Sequence, residues 1–126
     1  METDTLAALR LRIRQFVTAR DWEQFHSPKN LSMALIAEAA ELIEHFQWLT
    51  QEESHRLPPE TLQEVAHELA DIQIYLVRIA DQLGIDLIEA ANRKMDLNER
   101  KYPAAKVRGS AKKYTEYPGE TPARND

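Results

Sequence analysis

Cysteine is absent from the 126 residues, so disulfides, thiolate metal sites and cysteine nucleophiles are all excluded. Any bound metal must use oxygen or imidazole ligands. Glycine occurs three times and never before Gly84, and no stretch keeps the strict alternation of a strand, which points to an all-α fold. No apolar run approaches the roughly 20 residues needed to span a bilayer, so no membrane partner is expected. Basic residues are outnumbered: the net charge of −5 argues against DNA or RNA binding, which needs a basic face. A polyanionic substrate would need metal cations to mask the protein's own charge. The start, Met1-Glu2-Thr3-Asp4, is acidic and unlike a secretory or organellar leader, so the expected compartment is the cytoplasm.

What is present is a balanced composition, 43% hydrophobic and 29% charged, at a length suited to one domain. Helical spacing dominates from Asp4 to Lys101. A first helix is expected from about Thr5 to Arg20, with Leu6, Leu9, Ile13 and Phe16 on one stripe and Asp4 or Thr5 as cap. Ser27-Pro28 signals the start of a second, which should reach about Trp48, because serine accepts from first-turn amides and proline is tolerated at the first helical position. Thr50 to Pro59 reads as a loop with at most one irregular turn.

The third helix is the clearest. Leu62, Val65, Leu69, Ile72, Leu76, Ile79 and Leu83 alternate steps of three and four, and Gly84 stands where a left-handed cap belongs. Ala66, Ala70, Val77 and Ala80 widen its apolar arc, which implies contact on two sides and a partner subunit. Asp86 is placed to cap a fourth helix running to about Lys101, with Pro103 as its stop. The expected protomer is a four-helix bundle-like domain over residues 1–103. Residues 104–126, where periodicity is lost, form a flexible or partner-wrapping tail whose Lys106, Arg108, Lys112 and Lys113 are most simply solvated.

On the second helix the apolar line is Leu31, Leu35, Leu42, Phe46 and Leu49, and Glu38 falls in the middle of it. An unpaired ionised carboxylate in an apolar interior costs several kcal/mol, so such a group must be paired, protonated or bound to metal. Glu41 lies one turn on, and the third helix repeats the spacing in Glu68 and Asp71. Antiparallel helices carrying two such pairs could set four carboxylates around the hard-oxygen site that Mg2+ prefers. The plainer alternative is a set of solvated faces, which weighs most for Glu68 and Asp71 because both lie on the polar arc of their helix.

Further polar and aromatic residues point to the same chemistry. Lys94 and Lys101 on the fourth helix could reach a phosphate, and Asn98 could read a base or sugar. Trp22, Trp48 and Tyr75 could stack on a base, although aromatics at helical spacing are ordinarily core. His26 and Lys29 flank a helix start, a natural anion site, where capping is the commoner role.

Glu38-x-x-Glu41 followed by Glu68-x-x-Asp71 resembles the signature of the MazG-like all-α NTP pyrophosphatase superfamily. The match is closer to the dCTP pyrophosphatase family, through Arg20-Asp21-Trp22-Glu23-Gln24-Phe25-His26, Pro28-Lys29-Asn30-Leu31, Phe46-Gln47-Trp48, Lys94-Met95-Asp96-Leu97-Asn98 and Lys101-Tyr102-Pro103. Lys113-Tyr114-Thr115-Glu116 is similar too, so the resemblance covers about residues 6 to 117. It implies a helical homodimer or dimer of dimers, with Mg2+ held by Glu38, Glu41, Glu68 and Asp71 and the nucleotide met by Trp22, Trp48, Tyr75 and Asn98. One departure is Ala39-Ala40, where relatives commonly carry glycine at the second position; an alanine there narrows the approach of a neighbouring helix or substrate.

The expected reaction is hydrolysis between the α- and β-phosphates of a nucleoside triphosphate, dCTP foremost, with Glu41 favoured as the base that takes a proton from water. The rivals are a broader or modified-nucleotide pyrophosphatase and a non-catalytic helical dimerisation module. A di-iron bundle is set aside, because it needs Glu-x-x-His on two helices and Glu64-x-x-His67 supplies one.

Overall fold

The computed structural model describes residues 4–110, and among these no strand occurs. The chain divides into two compact units, Met1–Asp86 and Leu87–Asp126. Helix α1 spans Leu6–Ala19, α2 Pro28–Glu44, α3 Gln51–Ser54 and α4 Pro59–Leu83 in the first unit; α5 Leu87–Lys101 and α6 Ala104–Val107 belong to the second. No helix among the described residues is long and apolar enough to cross a membrane.

The local signals act largely where the residue types place them. Thr5 caps α1, its hydroxyl accepting from the Ala8 amide at 3.0 Å. Ser27 caps α2 by accepting from Asn30 N–H at 3.1 Å, with Pro28 at the first helical position. Gly84 closes α4 at φ 67, a left-handed conformation open to glycine without penalty from a Cβ. Two boundaries differ from expectation. Helix α2 ends at Glu44, not Trp48: the chain tightens into i→i+3 bonds from His45, Phe46 and Leu49 to Leu42, Ile43 and Phe46, a common way for a helix to run out. The expected loop after Thr50 contains α3, because Thr50 and Glu53 form a reciprocal capping box.

In the first unit α4 is the hub, with α2 and α1 both packed on it. Ile13 and Val17 from α1, Leu31 from α2, and Val65, Val77 and Ala80 from α4 form the buried core. Much apolar surface stays outside it. Leu62, Leu69, Leu76 and Leu83 recur every two turns of α4 and are 42–56% exposed, and Met33, Ile36 and Ile43 of α2 are also exposed. In the second unit α5 buries no residue, and its Ile88, Met95 and Leu97 are exposed. The short α6 falls within the expected tail; residues 111–126 of that tail, Lys112 and Lys113 included, lie outside the described residues.

Candidate active site

Packing of α2 on α4 brings the acidic pairs together. One oxygen each from Glu38, Glu41 and Glu68 lies within 4.8 Å of the others. Glu68 is therefore not on a solvated face: α4 is rotated so that Val65, Glu68 and Ile72 turn inward while the Leu62–Leu69–Leu76–Leu83 row turns out. Asp71 is exposed and stands outside this trio, but its charge acts on Glu38.

Two carboxylate oxygens, Glu38 Oε2 and Glu68 Oε2, are sealed from solvent and meet no hydrogen-bond donor. A buried acceptor without a partner carries a desolvation penalty of about 1–3 kcal/mol, more when charged. The Glu38 carboxyl is accordingly pushed up to about 7, first by burial, then by its hydrogen bond with Glu41 and that group's charge, by the charge of Asp71 and by a hydrogen bond with Glu68. Orphaned oxygens in a cluster of like charge suit a hard divalent ion, which takes carboxylate oxygens and relieves the repulsion. The donor set fits a metal.

His45 was not foreseen. As the C-cap of α2 it stands with Nε2 3.9 Å from Glu68 Oε1 and Nδ1 3.7 Å from Glu64 Oε2. The signal was in the spacing, because His45 follows Glu38 by two helical turns and so shares its face.

A cavity of about 450 Å³ has one of the four acids, Asp71, in its wall. Leu9, Arg12, Ile13, Phe16 and Val17 of α1 form one wall, Asp71, Ile74, Tyr75 and Arg78 of α4 another, and Trp22 and His26 of the connection close it. The connection is shaped by Asp21, whose φ of 52 turns the chain back so that Trp22 N–H donates to Val17 O at 3.1 Å. Trp22 then meets Phe16 edge to face at 5.7 Å, and the Arg20 guanidinium lies 3.6 Å above the Phe16 ring. Three of the expected nucleotide contacts, Trp22, His26 and Tyr75, thus share one cavity with Asp71 of the acidic signature.

Lys29 is exposed in the first turn of α2, and Trp48, in the turns after α2, is 88% exposed. Lys94, Asn98 and Lys101 belong to α5 in the second unit, Lys94 exposed and the other two half-buried. Arg12 and Arg78 on the cavity wall were missed. Arg78 sits one position beyond the apolar Val77 and carried no motif; that it is 6% exposed emerges from packing alone.

Comparison with known proteins shows which family the chain is similar to. The model of the MazG-like family matches residues 34–117, a span holding all four acids. The chain is 43% identical over 123 residues to dCTP pyrophosphatase 1 of Mus musculus, covering 96% of this chain and 72% of that protein. It is 45% identical over 116 residues to dCTP pyrophosphatase 1 of Homo sapiens, covering 90% and 68%. The crystal structure of a pyrophosphatase from Archaeoglobus fulgidus DSM 4304 superposes with a TM-score of 0.74 at 41% identity, covering 78% of this chain and 92% of that one.

Proposed function

The chain belongs to the MazG-like family, and from that premise we propose that it is a dCTP pyrophosphohydrolase, converting dCTP and water to dCMP and diphosphate. The observation that carries the reading is the meeting of Glu38, Glu41 and Glu68, with Asp71 of the same signature in the wall of a cavity that also holds Trp22 and Tyr75.

Glu38 and Glu68, whose buried oxygens lack protein partners, would hold a divalent cation, Mg2+ in our reading, with Glu41 and Asp71 completing the set. The chemistry such a cation supplies is neutralisation of triphosphate charge and acidification of a water. Glu41 is the exposed member of the trio and serves as the base that takes the proton of the attacking water. Trp22 and Tyr75 give the nucleoside flat apolar faces in a cavity large enough for it. Trp48 and Asn98 would meet the nucleotide, as the family resemblance implies, and Lys29, Lys94 and Lys101 would contact phosphates through their own charge.

We further propose that the working form is a homodimer or dimer of dimers in the cytoplasm. The exposed leucine row of α4 and the exposed apolar residues of α2 support a second copy as the cover, since monomers rarely expose large contiguous apolar patches.

The test is pyrophosphate release from each nucleoside triphosphate with and without Mg2+. dCTP should be turned over fastest, and only with metal, while comparable rates across the panel would mark a broader enzyme. Glu38→Gln and Glu68→Gln should each abolish turnover with the far-ultraviolet spectrum unchanged. Continued release by the purified double variant would rule the assignment out.

A further inference from the structure

Arg78 is the buried charged residue of the described chain, at 6% exposure, and the metal chemistry above gives it no task. Its surroundings form a relay. Arg14 grips Asp81 with two hydrogen bonds of 2.5 and 2.6 Å, Asp81 Oδ2 lies 3.7 Å from Arg78 Nη1, and Arg78 Nε–H donates to His26 Nδ1 at 3.3 Å. His26 and Arg78 both line the cavity that we assign to the nucleoside.

A guanidinium offers donors and no acceptor, and in a protein it keeps its charge. The imidazole nitrogen it faces must therefore present a lone pair. A neutral imidazole has one donor and one acceptor nitrogen, so a lone pair on Nδ1 leaves the proton on Nε2. Protonating both nitrogens would set two donors and two positive charges against each other in a partly buried place.

We infer that Arg78 is a positioning residue that locks His26 as the neutral Nε2–H tautomer, so that a nucleotide in the cavity meets an uncharged hydrogen-bond donor and not a cation. The expectation of an anion site at the start of α2 is replaced by one for an uncharged acceptor, a pyrimidine carbonyl oxygen or ring nitrogen. Burial, and then the Arg78 charge, hold the His26 pKa below its ordinary value, in keeping with this. Asp81, fixed by Arg14, holds Arg78 through Nη1, while Nε serves His26. The nucleoside half of the inference rests on the proposed activity; the tautomer half does not.

Nitrogen-15 NMR of the imidazole rings in the full-length protein tests it. In the unmodified protein His26 should carry its proton on Nε2 when neutral and be less protonated at about pH 6.5 than an ordinary histidine, which is half protonated there. Addition of dCMP without metal should shift the His26 Nε2–H resonance. In Arg78→Met the ring should become a mixture of tautomers and titrate nearer the ordinary value, whereas Arg78→Lys, which keeps a charged donor, should restore part of the Nε2–H population. KM for dCTP should rise about five-fold in Arg78→Met, the worth of one neutral hydrogen bond, with kcat within about two-fold. A proton on Nδ1, or a doubly protonated ring at pH 6.5, in the unmodified protein overturns the inference whether or not the variants fold. A scrambled tautomer with KM unchanged overturns its nucleoside half. If the unmodified protein released no pyrophosphate from dCTP, the proposed activity would fail while the tautomer result still stood.

Discussion

Lowering the pH from about 8 to about 6 should weaken binding of a divalent cation by about ten-fold, and Glu38 is the reason. A metal ligand must be deprotonated, so the cation competes with whatever proton the apo site retains. With the Glu38 carboxyl at about 7, roughly nine-tenths of the sites are ionised at pH 8 and roughly one-tenth at pH 6. That ratio is the ten-fold loss. Binding at pH 6 should release about 0.9 proton, and at pH 8 about 0.1. Isothermal titration calorimetry with Mg2+ or Mn2+, in two buffers of different ionisation enthalpy and without nucleotide, reads both quantities. Glu38→Gln should weaken binding at every pH and flatten the slope. A dissociation constant that stays level from pH 8 to pH 6, with no proton released at pH 6, would refute the argument from burial and neighbouring charge.

The same shift fixes the sign of a stability effect. Between the ordinary glutamate value of 4.5 and about 7, the metal-free folded chain keeps a proton that the unfolded chain has lost. This group's contribution is therefore fully present below about 4.5 and is lost as pH rises through 7. Thermal unfolding of the apo protein should show a falling Tm over that window, and added Mg2+ should recover it at the alkaline end. No recovery at pH 8 under saturating Mg2+ would mean that the acids do not hold the ion.

Leu31→Ala, at a side chain 2% exposed between α2 and its neighbours, should lower stability by about 2–5 kcal/mol, read from the urea midpoint at unchanged slope; a loss below about 1 kcal/mol would show that the site collapses freely. Asp81 has its pKa held below the ordinary value by the hydrogen bonds of Arg14, so its contribution is present above about 3.8 and disappears as pH falls through the lower folded value. Asp81→Asn should make the fall in Tm on acidification shallower, and identical acid profiles would contradict the pairing. Leu69→Glu combined with Leu76→Glu, both on the exposed row of α4, should convert the assembly to folded monomers by sedimentation at micromolar concentration; an unmodified protein that is already monomeric there sinks the oligomer proposal.

Caps and periodicity were the legible part of the fold, because they act within one turn of chain. Thr5, Ser27-Pro28 and Gly84 bound their helices through contacts with residues at most four positions away. Thr50-x-x-Glu53 carried the same kind of signal and was passed over in favour of its polar setting and the following Pro58-Pro59. The end of α2 was less accessible, since Phe46 and Leu49 continue the apolar line while the backbone has already tightened into i→i+3 turns. Apolar spacing records which side chains avoid water, and it does not say where the hydrogen bonds stop.

The site divides in the same way. Glu38 could be singled out because a carboxylate in an apolar line contradicts the pattern around it, and that position proves to have a sealed oxygen and a raised pKa. Glu68 looked solvated because it lies on the polar arc of α4; which part of that helix turns inward is decided by α2 and α1, not by the periodicity of α4. Arg78 shows the limit most sharply. An arginine next to an apolar position reads as a side chain whose head reaches water. It is buried instead because Asp81 and His26, from its own helix and from a turn more than fifty residues earlier, supply an anion and a lone pair at the two ends of its guanidinium. If that compensation is what permits the burial, removing Asp81 and His26 together should loosen Arg78 more than the two single losses added, and a double-mutant cycle on stability measures that excess directly.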